Sequence, residues 1–150
     1  MGKRNDLFRR IVAVEREYTA LRLAGDRLDR DARRNATILD ADELTPRDVR
    51  DARRSLEPTY LIRVFAVAEA GWRDVWLNYL RRPSHPPTRT LLDSLAARFR
   101  VSQGWLADAH EVRAYRNSLV HEGREAVTVV PLAAAVQRLG RVVSMLPLDW

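Results

Sequence analysis

The chain contains no cysteine. That excludes disulfides and thiolate metal sites, and it suits a reducing cytoplasm, the location expected here. Histidine is scarce: His85, His110 and His121 are all there is. None is spaced with a second His and a carboxylate in the manner of a zinc motif, so no metal and no cofactor is expected. There is no glycine-rich phosphate loop and no G-x-S-x-G nucleophile elbow. The leading MGKRNDLFRR is charged and lacks the apolar run of a signal peptide. No stretch approaches the ~20 apolar residues needed to span a bilayer, so no membrane partner is expected.

What is present is arginine. Lys3 is the only lysine among 26 basic residues. The formal net charge is +6 and the sequence pI about 10.6. A basic balance favours acidic partners such as nucleic acid, and arginine grips phosphate as a bidentate fork. Arginine-rich codon usage gives the same composition, so composition alone does not name the partner. With 150 residues, 46% hydrophobic and 31% charged, the chain reads as one folded domain, 1–150. A chain of this length typically buries roughly 68–70% of its unfolded surface.

The apolar pattern is helical throughout. Leu7, Ile11, Val14, Tyr18 and Leu21 recur at spacings of four and three. Leu28 continues the stripe, so the first helix is expected from about residue 4 to the mid-thirties, with DRLDRDARRN as a solvated face. Thr45-Pro46 is a helix start, a capping Thr before a Pro preset for the first turn. A short helix to about Ser55 follows, and Pro58 predicts a kink or a new start. TYLIRVFAVAEAGWRDVWLNYLRR, residues 59–82, is the core helix, and PSHPP ends it. Thr88 is expected to cap a third helix, and Ser102 a fourth over about 103–121 that Gly123 stops. VTVV at 127–130 is too short to imply a sheet, and Pro131 opens the last helix. The reading is an all-α bundle of about five helices.

Two charged residues interrupt apolar faces. At ~100° per residue, Trp105, Ala109, Val112, Arg116 and Leu119 share one stripe. Ile62, Phe65, Glu69, Trp72, Trp76 and Leu80 share another, with Arg73 one turn beyond Glu69. Buried charges need partners, so a Glu69–Arg116 pair is expected. On an ideal helix His121 lies about 140° from Arg116. His121 does share a face with Asn117, near His110 and Arg113. If Arg116 and His121 serve one site, either the helix end unwinds or two copies of the chain meet. Taken alone, His121 reads as a histidine at a helix C-terminus, where the dipole favours its charged form.

YRNSLVHEG, residues 115–123, resembles the R-x4–6-H signature of HEPN domains, with an Asn directly after the Arg. TYLIRVFAVAEAGWRDVW is similar to the second core helix of that family, with Glu69 as its inward acidic residue. In helix order the resemblance covers about residues 5–145; only these two segments carry specific residues. The resemblance implies an α-helical bundle that homodimerises, so that the motifs of two copies share one cleft. It implies a metal-independent endoribonuclease from a toxin–antitoxin, antiviral or RNA-processing setting. His121 would be the general acid/base, Arg116 the phosphate contact and Asn117 a positioning group. Glu69, with Arg73 beside it, would orient Arg116, and Tyr115 would add a hydroxyl or a stacking surface. The alternative is a non-catalytic HEPN-like dimer that binds RNA or a protein partner, such as a nucleotidyltransferase-like antitoxin.

Overall fold

The computed structural model describes residues 2–121 and 127–150, and among these the chain is helical with no strand. The five α-helices are α1 (Lys3–Arg34), α2 (Pro46–Asp74), α3 (Thr88–Phe99), α4 (Gln103–Val120) and α5 (Leu132–Ser144). A sixth, 3-10, helix at Ala36–Asp42 joins α1 to α2, and a π-helical turn at Val75–Tyr79 prolongs α2. Among the described residues, no helix is long and apolar enough to cross a membrane.

The start of α2 follows its sequence signal. The Thr45 hydroxyl accepts the Asp48 N–H, and the Asp48 carboxylate accepts the Thr45 N–H at 2.7 Å. This reciprocal pair satisfies donors a helix start leaves open. Pro58, however, neither ends nor restarts the helix; α2 runs through it. A proline inside a helix removes one hydrogen bond and crowds the carbonyl four residues back. Packing on both sides offsets that cost here: Tyr60 and Leu61 are buried, and Glu57 accepts the Leu132 N–H at 2.8 Å, fastening α2 to the start of α5. At the other end α2 stops at the π turn, short of Arg82. The Leu80 N–H reaches the Val75 carbonyl at 3.0 Å, and Arg81 turns left-handed with φ 50°.

The core sits where α1, α2, α4 and α5 face one another. Trp72, Phe65, Ile11, Leu61 and Leu139 are among its fully buried side chains. Gly71 lets α1 and α2 approach closely: a Cβ there would lie 2.2 Å from a Leu7 methyl. Gly71→Ala therefore forces Leu7 to move, and a loss of about 1–3 kcal/mol is expected in denaturant unfolding.

The α1 stripe outruns this core. Leu7, Ile11 and Val14 are buried, whereas Leu21 and Leu28 are exposed. Beyond Tyr18, α1 pairs with the first half of α2 and the 3-10 helix around a small second core of Ala32, Leu39 and Val49. Arg53 fastens this arm. Its guanidinium donates to Asp26 at 2.5 Å and to the buried Asp29 at 2.7 Å. DRLDRDARRN is thus mostly solvated, as its charges imply, with Asp29 and Ala32 turned inward. Among the described residues, Arg53→Ala leaves Asp29 with only the exposed Arg33 as counter-ion. A destabilisation of about 2 kcal/mol is expected in urea titration, below the full buried-pair value because Arg53 is partly solvated.

Candidate functional site

The site is built on the last two turns of α4 and the middle of α2. Ser102 starts α4 as expected, accepting the Trp105 N–H at 3.3 Å. Ala109 and Val112 are buried, and Trp105, Arg116 and Leu119 are half-buried on the same stripe. Arg116 thus faces the bundle, as its spacing predicts. Its guanidinium carbon lies 5.7 Å from the centre of the Phe65 ring, a cation–π contact. Its Nη1 donates to the Asn117 side-chain oxygen at 3.1 Å. Its Nε is buried and, among the described residues, has no hydrogen-bond partner.

The expected Glu69–Arg116 ion pair is not formed. Glu69 is held instead by Arg73, one turn along its own helix, at 2.6 Å, and by the Thr88 hydroxyl, also at 2.6 Å. A partner four residues away on the same helix is already aligned, so it needs no register between helices. Arg73 also donates to the Pro86 carbonyl at 3.2 Å, which ties the proline-rich loop to α2. Thr88 therefore does not cap α3. Pro87 takes the cap position and makes no side-chain cap bond.

Burial would by itself raise the Glu69 carboxyl. The Thr88 and Arg73 hydrogen bonds, and then the charges of Arg73 and Arg116, outweigh that and hold it below its ordinary value of 4.5. Arg116 thus acts on Glu69 through space, as a nearby positive charge. A lowered folded-state value means that ionised Glu69 stabilises the fold above about pH 4.5, and that this contribution fades as pH falls through the lowered value. Glu69→Gln should therefore melt well below wild type near neutrality, with the gap narrowing below pH 4.5; melting both proteins across that range checks it.

His121 lies just past the helix. Val120 is the last residue of α4, and His121 is its cap, with extended backbone (φ −117°, ψ 105°) and its N–H on the Asn117 carbonyl at 3.0 Å. The helix thus ends within a residue of the expected 121 and three residues before Gly123, which lies outside the described residues, as does Glu122. His121 is exposed, and it no longer follows the helical phase that put it about 140° from Arg116. The structure brings Arg116 and Asn117 into contact, and Glu69 and Arg73. It shows no hydrogen bond from the His121 ring to any of these.

The remaining histidines have ordinary settings. His110 bonds Asp93 across the α3–α4 junction at 2.6 Å, with Arg113 on its other ring nitrogen at 3.4 Å. His85 is exposed in the proline-rich loop. Tyr115 is half-buried against the core, and its carbonyl accepts the Ser118 hydroxyl at 2.7 Å. Thr88 is the residue sequence reading missed. A hydroxyl directly after Pro87 carries no signal that its partner lies 19 positions back, on another helix.

Compared with known proteins, the chain matches no family model, no curated protein and no solved structure. The site offers an arginine clamped between an aromatic ring and an amide, and an exposed imidazole five residues on. A guanidinium is the kind of group that can hold a phosphate, and an imidazole the kind that can move a proton.

Proposed function

We propose that this chain is a metal-independent endoribonuclease of the HEPN type, working as a homodimer. The observation that carries the reading is the arrangement of RNSLVH. Arg116 is anchored over Phe65 and on Asn117, while the chain leaves the helix at His121 and frees the imidazole from the helix face.

RNA brings its own nucleophile, the 2′-hydroxyl. His121 removes its proton, and the oxygen attacks the adjacent phosphorus. The pentacovalent phosphorane is stabilised by the Arg116 guanidinium. The 5′-oxygen leaves with a proton from a second acid, giving a 2′,3′-cyclic phosphate and a 5′-hydroxyl. Two copies related by a two-fold axis would supply two His121 and two Arg116, so one imidazole can act as base while the other acts as acid. Asn117 fixes the Arg116 fork. Glu69, held by Arg73 and Thr88, lies near enough to feel the charge of Arg116. The resemblance of the motif supports a toxin–antitoxin or antiviral setting, with an antitoxin-like protein as a further partner.

The test is incubation of the purified protein with total RNA in EDTA, followed by end-group analysis. Cleavage with cyclic-phosphate and 5′-hydroxyl ends is expected. A requirement for divalent metal, or 3′-hydroxyl ends, would contradict the mechanism. A second reading has one observation in its favour: Arg116 already has a structural occupation against Phe65. A non-catalytic dimer that binds RNA or a protein would then bind without cutting in the same experiment.

A further inference from the structure

A cleft of about 570 Å³ opens between the middle of α1, the first half of α2 and residues 129–131, with Tyr115 of α4 in its wall. That volume falls in the usual range of small-ligand sites, roughly 300–1,000 Å³. Its lining combines three kinds of chemistry.

The first is cationic. Arg22, Arg53 and Arg54 line the cleft. Arg53 is committed to Asp26 and Asp29. Arg22 reaches Asp26 only at 3.4 Å, and Arg54 reaches Asp51 only at 3.7 Å. Such long, solvated pairs hold a guanidinium weakly, so both forks remain able to take a phosphate.

The second is aromatic. The Tyr18 and Tyr115 rings are both half-buried against the core and both border the cleft. Burial, then the Glu57 carboxylate beside it, pushes the Tyr18 hydroxyl up, so it stays protonated and able to donate.

The third is a set of acceptors. Glu57 and Asp26 line the cleft, and so do Arg54 and Pro58. Pro58 has no N–H to offer the Arg54 carbonyl, its partner four residues back in an unbroken helix. The Arg54 carbonyl thus lacks its usual intrahelical donor at a position whose residues line the cleft.

We propose that this cleft binds one nucleotide unit, with its phosphate on Arg22 and Arg54, its base against Tyr18 and Tyr115, and the base's amino group on the acceptors. The unit comes either from a free nucleotide or from an RNA strand. The RNA source rests on the endoribonuclease reading; the cleft does not. Tyr115 directly precedes Arg116, so a strand occupying the cleft would place its nucleotide beside the phosphate to be cut and select the base there. Acceptors favour adenine, cytosine and guanine over uracil, which has no exocyclic amino group.

The test is calorimetric titration of the full chain with AMP, GMP, CMP and UMP, and separately with a 2′-O-methyl RNA oligomer whose blocked hydroxyl prevents cutting. Binding is expected, with UMP the weakest mononucleotide. The paired substitution Arg22→Gln and Arg54→Gln should weaken binding about tenfold or more. Tyr18→Leu should weaken it as well; circular dichroism checks that each variant folds, and the exposed arginine pair keeps the test open if Tyr18→Leu does not. Binding of mononucleotides supports a free-nucleotide site. Binding of the oligomer alone supports a subsite for RNA. No binding of either, or binding unchanged in the arginine pair variant, overturns the proposal, and UMP binding as tightly as AMP overturns the base contact. Binding and cutting are read in separate assays. Nucleotide binding without RNA cleavage would therefore sink the enzyme reading alone, and cleavage without nucleotide binding would sink the cleft alone.

Discussion

His121→Ala is expected to lower RNA cleavage by about 10²–10⁴-fold, the usual contribution of a general acid/base. The same change should leave folding stability within about 0.5 kcal/mol, because surface substitutions away from packing and caps rarely do more. The structure makes this separation possible. His121 is exposed, it caps α4 through its backbone N–H rather than its side chain, and alanine keeps that N–H. A steady-state cleavage assay and a thermal melt on one preparation check both halves. Lost cleavage with an unchanged melt identifies the imidazole as chemical. A lowered melt that accounts for lost cleavage would mean that His121 supports the helix end instead.

Arg116→Ala carries the second large effect, a fall in kcat of about 10²–10³, as when one donor to a developing oxyanion is removed. The sequence alone makes this variant look hazardous, because an arginine paired with a buried carboxylate leaves that charge stranded when removed. The structure removes the objection. Glu69 keeps Arg73 and Thr88 whether or not Arg116 is present. What Arg116→Ala loses is the stacking on Phe65, about 0.5–2 kcal/mol, and one hydrogen bond to Asn117. The variant should therefore fold, with its melting point modestly lowered, and fail to cut. Arg116→Lys should also cut poorly, since an ammonium loses the planar fork that bonds Asn117 and phosphate at once. Full activity in Arg116→Lys would mean that Arg116 contributes charge alone.

Much of the helical frame is legible in the sequence where local chemistry decides it. Thr45 and Asp48 form their capping box from residues three apart, and Ser102 starts α4 in the same way. Arg116 falls on the buried stripe because helical phase alone puts it there. Legibility fails where distant packing competes with a local rule. Pro58 signals a break that the Glu57–Leu132 bond and the buried Tyr60 and Leu61 override. Glu69 was legible as an inward charge, but not its partners: Arg73 competes with Arg116 at closer range, and Thr88 arrives across a proline loop. Leu21 and Leu28 continue the core periodicity of α1, yet lie exposed, because periodicity cannot say where the bundle stops. The same arm brings Arg22 and Arg54 to one cleft, a meeting of two helices that no spacing along either one encodes. Within the motif, the order of residues conveys Arg116 and Asn117 as neighbours. The exit of the chain at His121 depends on where α4 ends, and the expected end near residue 121 falls within one residue of Val120, where it does.

In the proposed enzyme, the two His121 imidazoles of paired copies serve one RNA-cutting site. Wild type is mixed with an equal amount of His121→Ala, subunits are allowed to exchange, and RNA cleavage is assayed in EDTA. Under random exchange the dimers that keep both imidazoles fall as the square of the wild-type fraction, so about a quarter of the undiluted activity is expected. Activity that falls only in proportion to the wild-type fraction, to about one half, although subunit exchange is complete, would contradict the shared site.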